Sequence, residues 1–309
     1  MKNLLEINNV TKNYGDFRAL NDVSIHIPKG SVYGLLGPNG AGKTSLIRII
    51  NQITMPDAGS ILLDGEPLSP KHTAVIGYLP EERGLYKSMK VGEQALYLAQ
   101  LKGLSKSEAK KRLKYWFDKF DISAWWGKKI EELSKGMAQK VQFIVTVMHN
   151  PKLLIFDEPF SGFDPINAQL IAKEILQLRD EGATIIFSTH RMESVEEMCD
   201  EIALIHKSNK ILDGKLSDIK RQYRTNTFQV GLHTDNPKEV EAKLKENFEV
   251  FPADFKLLGN ELTLNVKLGQ NNSANELLSF LTNSGQVQHF VELIPSANDI
   301  FIQAVNKNN

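Results

Sequence analysis

Short apolar runs alternate along this chain with segments in which apolar residues recur every three or four positions. Three of the runs, 31–36, 153–156 and 184–187, are continuous, which is typical of strands buried on both faces of a parallel sheet. The segments 91–101 and 107–120 have the spacing of amphipathic helices. The alternation of the two patterns predicts an α/β fold with a parallel sheet.

A glycine-rich loop follows the first run and precedes a helical pattern at 45–50. It matches G-x-x-x-x-G-K-[ST] at every fixed position, in the strand, loop and helix order that this phosphate-binding motif requires. Its backbone N–H groups, the helix N-terminus and Lys43 supply positive charge to phosphates, and Thr44 is expected to place its hydroxyl on Mg²⁺. The alternative is a turn that serves packing alone. The predicted nucleotide-binding residues here are Gly37, Pro38, Asn39, Gly40, Ala41, Gly42, Lys43, Thr44 and Ser45.

A second apolar run, 153–158, ends in two adjacent carboxylates, Asp157 and Glu158. Ligands of open α/β sheets bind beyond the carboxyl ends of the strands, so both acids are expected to reach the nucleotide. Asp157 is placed to hold Mg²⁺, directly or through water. Glu158 is placed to polarise the attacking water, because phosphoryl transfer depends on positioning and charge. Such a pair alone often marks only a strand end. The phosphate loop upstream strengthens the interpretation that these two acids act on a nucleotide.

Residues 133–140 read Leu-Ser-Lys-Gly-Met-Ala-Gln-Lys and open another helical pattern. Ser134 fits an N-cap, and Gly136 leaves backbone N–H groups open to an anion. Here the chain resembles the ATP-binding subunits of ABC transporters, whose signature loop most commonly reads Leu-Ser-Gly-Gly-Gln and lies just before the Asp-Glu strand. Lys135 and Met137 depart from that form, but the Ser hydroxyl and the helix N-terminus remain.

The resemblance implies roles for further residues. Tyr14 occupies the place of the aromatic residue that stacks on adenine, although a strand aromatic half-buried for structural reasons fits the same pattern. Asp164 matches the acid of the dimer-contact loop, and His190 matches the switch histidine that hydrogen-bonds the γ-phosphate. The implied catalytic residues are Lys43, Glu158 and His190.

One position departs from the family pattern in a way that affects chemistry. After the strand-like run 75–80 the family's connecting loop usually presents Gln, and this chain has Glu81. A carboxylate can take Mg²⁺ or water, so Glu81 joins Thr44 and Asp157 as a candidate metal ligand. It cannot donate a hydrogen bond when ionised, and it adds negative charge beside a triphosphate. The alternative is a surface turn acid, since Glu82 follows directly.

The composition of the chain limits the functions and the cellular location that fit it. The 309 residues carry 37 Lys and Arg against 37 Asp and Glu, so no global positive field favours nucleic acid. The single cysteine, Cys199, excludes an internal disulfide, and the seven histidines show no metal-ligand spacing. No apolar stretch has membrane-span length, and residues 1–6 lack a signal-peptide core. The chain is expected in the cytoplasm, on the inner face of the cell membrane only through a partner.

The order of the motifs predicts two domains, an ATPase domain at 1–220 and an accessory domain at 221–309. The first combines a nucleotide core, an antiparallel strand layer that includes a hairpin at 59–65, and a lysine-rich segment at about 82–150 that resembles the family's helical subdomain. Three tryptophans lie in this segment, and a place in its core is favoured over a partner surface. They are Trp116, Trp125 and Trp126.

The accessory tail alternates strand-like and helix-like segments in the order β-α-β-β-α-β, that of a small ferredoxin-like α+β fold. The predicted strands are 227–232, two runs ending at Leu258 and Leu268, and 287–293, and the predicted helices are 237–247, 273–282 and 295–305. The tail resembles those of bacterial ABC exporter ATPases of the sodium- or drug-extrusion type. A dimerisation or regulatory module and a structural cap both remain open.

The sequence thus predicts a homodimeric, ATP- and Mg²⁺-dependent ABC-type ATPase that drives export through a separate integral-membrane permease subunit. In the implied mechanism, Ser134 and Gly136 of one subunit complete the ATP site of the other. The alternative is a soluble ABC-type ATPase acting on ribosomes or DNA. The resembling translation factors carry two cassettes in one chain, and the repair proteins insert a coiled coil or zinc-binding cysteines. A purely regulatory nucleotide-binding protein would lack Glu158 and His190.

Overall fold

The computed structural model describes residues 2–82, 84–253, 261–269 and 272–308. The chain divides into two compact units, of which the first comprises Met1–Leu216 and Phe301–Asn309 and the second comprises Ser217–Ile300. Both units combine helices with strands.

The strands up to residue 215 are β1 (Asn3–Tyr14), β2 (Phe17–Pro28), β3 (Val32–Leu36), β4 (Ala58–Leu63), β5 (Glu66–Pro67), β6 (Ile76–Leu79), β7 (Leu153–Asp157), β8 (Thr184–Ser188), β9 (Glu201–His206) and β10 (Asn209–Lys215). The helices up to residue 222 are α1 (Lys43–Ile50), α2 (Val91–Leu101), α3 (Lys106–Lys119), α4 (Lys135–Val147), α5 (Pro165–Asp180), α6 (Met192–Met198) and α7 (Leu216–Gln222). Short 3₁₀ helices lie at Pro70–Val75, Ser123–Trp125 and Ile130–Glu132.

The central sheet of the first unit has six strands in the order β10-β9-β3-β8-β7-β6. Its strands run parallel from β9 to β6, and β10 is antiparallel to β9. Every residue of β3, β7 and β8 is buried, which explains why these strands read as continuous apolar runs. Because β8 lies between β3 and β7, the residues that follow these three strands meet at one edge of the sheet.

A second sheet of the first unit is antiparallel, with the order β2-β1-β4-β5. The hairpin predicted at 59–65 is present as β4, a turn at Asp64 and Gly65, and the two-residue strand β5. One cluster of buried apolar residues joins this sheet to α1 and to the central sheet, with Ile25, Ile47 and Leu35 as examples from the three elements. The phosphate loop, which leads into α1, is thereby anchored on a common core.

The chain between β6 and β7 is helical, and α2 has the predicted bounds. Trp116 lies in the core of this segment, as predicted, with its ring edge-on to Phe143 at 6.2 Å between centroids. The prediction was wrong for Trp126, which is 37% exposed and packs edge-on against Phe117. Trp125 is half-buried. Trp126 lies so close to Gly92 that only a residue without a side chain fits there, since a Cβ would lie 2.2 Å from the indole.

The elements after residue 222 are β11 (Thr227–His233), α8 (Pro237–Asn247), β12 (Glu249–Pro252), β13 (Glu261–Lys267), α9 (Ala274–Ser284), β14 (Gln286–Glu292) and α10 (Ala297–Lys307). The four strands among these elements form an antiparallel sheet in the order β12-β13-β11-β14. The βαββαβ sequence and this order are those of the predicted ferredoxin-like fold. Its core includes Val230, Leu244, Leu264 and Leu281. The end of the strand predicted to finish at Leu258 lies outside the described residues.

Candidate nucleotide-binding site

The glycine-rich loop lies between β3 and α1, as predicted. Gly37, Gly40 and Gly42 have φ angles of +149°, +78° and +117°, in the region that favours glycine. A Cβ on Gly37 would lie 2.2 Å from the carbonyl oxygen of Ile205, and a Cβ on Gly42 would lie 2.3 Å from that of Ala19. Both positions therefore require glycine for conformation and for space.

Lys43 begins α1 and lies across the loop. Its Nζ donates hydrogen bonds to the carbonyl oxygens of Gly37 at 2.6 Å and Pro38 at 3.0 Å. Burial lowers the pKa of the Lys43 ammonium, and the carboxylates of Asp157, Glu158 and Glu81 act in the opposite direction. The charge of Lys43 is thus held at the concave side of the loop, among acids that favour its protonated form.

The loop tip and the start of α1 are open to solvent. Asn39 and Gly40 are exposed, Pro38 is partly exposed, and Ala41 is buried. Thr44 is exposed and Ser45 is half-buried in the first turn of α1, which carries no acidic residue. The partial positive charge at this helix end is therefore not neutralised from within the helix, so an anion can bind there.

Asp157, the last residue of β7, is 7% exposed. Burial raises the pKa of its carboxyl group, and the carboxylates of Glu81 and Glu158 contribute in the same direction, while Lys43 opposes them. The negative charges that act on Asp157 favour a cation beside it. Oxygen ligands from one or two carboxylates and a hydroxyl, completed by phosphates and water, are the set that Mg²⁺ prefers, so Asp157 and Thr44 fit this ion.

Glu158 and His190 form a direct pair. Nδ1 of His190 lies 2.7 Å from Oε1 of Glu158, and the His190 backbone N–H donates to the same oxygen at 2.8 Å. Because an ionised carboxylate only accepts hydrogen bonds, Nδ1 carries the proton in this pair. The Glu158 side chain is 12% exposed and the His190 side chain 75%, so the carboxylate is mostly buried and the imidazole is open to solvent.

The backbone of Glu158 has a φ of +50°, unusual for a residue with a side chain. Its N–H donates to the carbonyl oxygen of Ser188 at 2.9 Å, which ties the turn after β7 to the end of β8. The hydroxyl of Thr189 lies 3.2 Å from Oε2 of Glu158. Sequence reasoning gave Thr189 no role, and its only signal is a hydroxyl residue directly before the histidine at a strand end.

Glu81 follows β6 and is exposed. Its charge nevertheless acts on three groups of this region, since it raises the pKa values of Lys43, Asp157 and the Tyr78 hydroxyl. Glu82 is exposed as well.

Ser134 and Gly136 lie at the start of α4. Ser134 is the N-cap, as predicted, and its Oγ accepts a hydrogen bond from the Met137 N–H at 3.2 Å. A Cβ on Gly136 would lie 3.8 Å from the carbonyl oxygen of Gly162 and 3.9 Å from the Phe163 ring. The contacts of these two residues are therefore with α4 and with the segment that leads to Asp164, the N-cap of α5.

Tyr14 ends β1 with 44% of its surface exposed. Nζ of Lys12 lies 5.5 Å from its ring centroid and also pairs with Asp57 at 2.8 Å. The ring is thus held by a cation and still offers exposed aromatic surface. Such a surface can stack on a base.

Across residues 2–82, 84–253, 261–269 and 272–308, no helix has both the length and the apolar character to cross a bilayer. Over the same ranges, no three His, Cys, Asp or Glu side chains come together as a metal-binding group.

The parallel sheet, the glycine loop with its lysine, and the acids at the neighbouring strand ends define a P-loop nucleotide-binding protein. The sequence profile described as "ABC transporter" matches residues 20–161, and that of the "ATP-binding protein DrrA1-3-like, C-terminal domain" matches 214–305. A profile of an AAA domain described as a putative AbiEii toxin overlaps at 127–196.

Relatives match over most of the chain. The ABC transporter ATP-binding protein YhaQ of Bacillus subtilis is 41% identical over 304 residues, which cover 98% of both chains. The lantibiotic transport ATP-binding protein SrtF of Streptococcus pyogenes is 34% identical over 68% of this chain and 90% of its own. A solved ATP-binding subunit of an ABC transporter superposes with a TM-score of 0.67 at 32% identity, over 71% of this chain and 93% of that chain. The chain therefore belongs to the ABC transporter ATP-binding proteins, a family that hydrolyses ATP to power transport.

Proposed function

We propose that this chain binds ATP with Mg²⁺ between two copies of itself and drives export through a separate integral-membrane permease. The observation that carries the catalytic part is the Glu158–His190 pair, which lies at the strand edge that also holds Lys43 and Asp157. A carboxylate, an imidazole and an ammonium at one edge supply the positioning and charge that phosphoryl transfer requires.

In this proposal the loop from Gly37 to Ser45 holds the phosphates through its N–H groups, Lys43 neutralises their charge, and Tyr14 stacks on the adenine. Thr44 and Asp157 would hold Mg²⁺, which when bound would offset the negative charge of the phosphates. Glu81 is a third candidate ligand, supported by its effect on the pKa values of Lys43 and Asp157.

Glu158 accepts the proton of the attacking water and His190 contacts the γ-phosphate. Nδ1 of His190 donates to Glu158, so a hydrogen bond from Nε2 to a phosphate oxygen requires a proton on Nε2 as well. The pair can therefore couple phosphate contact to the position of the base.

The homodimer rests on Ser134 and Gly136. Both stand at the N-terminus of α4, where the first turn carries no acidic residue, and Ser134 is exposed. An exposed, positively polarised helix end suits the phosphates bound by a second subunit. We assign residues 1–220 to this ATPase domain, with a helical subdomain at about 82–150, and residues 221–309 to an accessory domain for dimerisation or regulation.

The membrane partner is placed at an apolar groove of about 350 Å³ between β6, α2 and α4. Ile53 and Leu101 line it and are 63% and 64% exposed, so the groove presents large aliphatic side chains to solvent. We assign this groove to a segment of the permease, which would hold the chain at the cytoplasmic face of the membrane. SrtF is named as a lantibiotic transport ATP-binding protein, which supports a role in transport with a membrane partner. None of the relatives described above supports action on ribosomes or DNA.

The test first asks whether a gene for a multi-span membrane protein lies beside the gene for this chain, and then coexpresses that protein with the chain. We expect the chain in the membrane fraction only with that partner, and we expect Leu101→Glu to abolish recruitment while ATP hydrolysis persists. Val291→Glu, which charges an equally apolar exposed site in β14, serves as the control. Recruitment that survives Leu101→Glu would refute the groove. Sedimentation with ribosomes would support the alternative function.

A further inference from the structure

Thr189 directly follows β8 and buries its hydroxyl beside Glu158. The residue is 1% exposed. Oγ1 lies 3.2 Å from Oε2 of Glu158 and 3.1 Å from the backbone nitrogen of Arg191. The carboxylate can only accept and the amide can only donate, so Oγ1 donates to Glu158 and accepts from Arg191. Both bonds together fix the direction of the hydroxyl proton.

The two oxygens of the Glu158 carboxylate have different partners. Oε1 accepts from both the backbone N–H and Nδ1 of His190, whereas Oε2 accepts from Thr189. Two bonds to one oxygen leave that oxygen as a pivot about which the carboxylate can still turn. The third bond, to the other oxygen, removes this rotation. Thr189 therefore supplies the contact that sets the plane of the carboxylate.

The same short segment also controls the backbone of Glu158. The carbonyl oxygen of Ser188 accepts the Glu158 N–H at 2.9 Å, and the Glu158 φ angle is +50°. Residues 188–190 thus hold the backbone and both carboxylate oxygens of Glu158. A change in that segment therefore alters the position of the candidate base.

We propose that Thr189 is a positioning residue for ATP hydrolysis, whose hydroxyl fixes the carboxylate plane of Glu158 toward the attacking water. This inference rests on the proposed function, in which Glu158 polarises that water. The bond matters because a misplacement of about 1 Å in a reacting group costs on the order of 10²-fold in rate.

The experiment compares three substitutions in the full chain. Thr189→Val keeps the β-branched shape and removes the hydroxyl, Thr189→Ser keeps the hydroxyl, and Thr184→Val is the matched control. Thr184 is equally buried at the opposite end of β8, where its Oγ1 accepts from the Gly30 N–H at 2.9 Å. We expect Thr189→Val to lower kcat about 10-fold or more with unchanged KM for ATP. Thr189→Ser restores most of the rate, and Thr184→Val leaves kcat near wild type.

A second measurement separates positioning from packing. In a Glu158→Gln background, Thr189→Val is expected to cause no further loss, because both changes act through one group. If Thr189→Val does not fold, Thr189→Ala removes the same hydroxyl without placing a methyl group beside the carboxylate.

Each result has a distinct meaning. Full activity of Glu158→Gln would overturn the proposed function itself. An inactive Glu158→Gln together with wild-type kcat in Thr189→Val would overturn the role of Thr189 alone. The role of Thr189 would also be overturned if Thr184→Val lowers kcat as much as Thr189→Val does, or if Thr189→Ser fails to restore the rate.

Discussion

The imidazole of His190 contacts the carboxylate of Glu158 through Nδ1 and Oε1, 2.7 Å apart, although the two residues are 32 positions apart in sequence. The contact exists because β7 and β8 are parallel neighbours in which Asp157 lies opposite Ser188. The turn after β7 and the segment after β8 therefore meet. In this arrangement a group that can accept a proton and a group that can contact phosphate share one hydrogen bond.

Glu158→Gln tests the chemistry of this pair. Glutamine keeps the size and one accepting oxygen of the side chain but cannot take a proton. We expect turnover to fall by about 10²-fold or more, as for the loss of a general base, while ATP affinity stays near wild type. Steady-state hydrolysis and equilibrium ATP binding measure the two effects.

Lys43→Ala is the contrasting variant for that experiment, because it removes the ammonium from the phosphate loop. ATP affinity itself should fall in this case. Unchanged ATP affinity in Lys43→Ala would contradict the proposed phosphate site, and full hydrolysis by Glu158→Gln would remove Glu158 from the role of base.

Mixing two inactive variants tests the composite site. Lys43→Ala and Ser134→Ala subunits that exchange partners form heterodimers in which one site carries both lesions and the other carries none. We expect hydrolysis to reappear on mixing, by the amount that one intact site per heterodimer supplies. Robust activity of either variant alone would exclude a site shared between subunits. A mixture without activity would mean that one intact site hydrolyses ATP only when the second site of the dimer is intact as well. Mixing each variant with wild type then measures this dependence.

Glu81→Gln tests the departure from the family pattern. A carboxylate close to Mg²⁺ attracts the metal and repels the triphosphate, so its removal should retain hydrolysis and shift the Mg²⁺ concentration for half-maximal activity. Glu82→Gln is the control, because it removes the same charge one residue further along. Identical Mg²⁺ titrations for both variants and wild type would make Glu81 an ordinary loop residue.

Lys119→Met tests an ion pair between a partly exposed lysine of α3 and a buried glutamate of α5. Nζ of Lys119 lies 2.5 Å from Oε2 of Glu174, whose side chain is 6% exposed, and Lys119 also lies 5.2 Å from the Trp116 ring centroid. Breaking a fully buried pair costs about 3–5 kcal/mol, and the loss here should reach the lower end, since Lys119 retains some solvent contact. Denaturant unfolding followed by tryptophan fluorescence measures it.

Lys114→Met is the control for the ion pair, because it removes the same charge from the same helix. Lys114 pairs with Asp118 at 3.5 Å, with both side chains more than half exposed. Loss of this pair should lower the free energy of unfolding by about 0.5 kcal/mol or less. Equal effects of the two substitutions would show that burial of Glu174 does not depend on Lys119.

Much of the fold was predictable because the signals are local. The bounds of α2, the N-cap at Ser134 and the buried strands β3, β7 and β8 depend on side chains within one turn or one strand, where spacing reports burial directly. The exposure of Trp125 and Trp126, near the end of the helical segment, was not predictable in the same way. Their burial depends on which helices pack nearby, and composition alone does not contain that information.

By itself the sequence determined the phosphate loop, the strand-end acids and the order of elements in both units, since each is written in residue types at fixed spacing. Only the tertiary structure decided that β8 lies between β3 and β7, and with it the contacts of Thr189 and His190 with Glu158. The influence of Glu81 on Lys43 is of the same kind. Strand neighbours are selected by the packing of all strands and helices together, so contacts between distant strand ends appear only when the sheet is assembled.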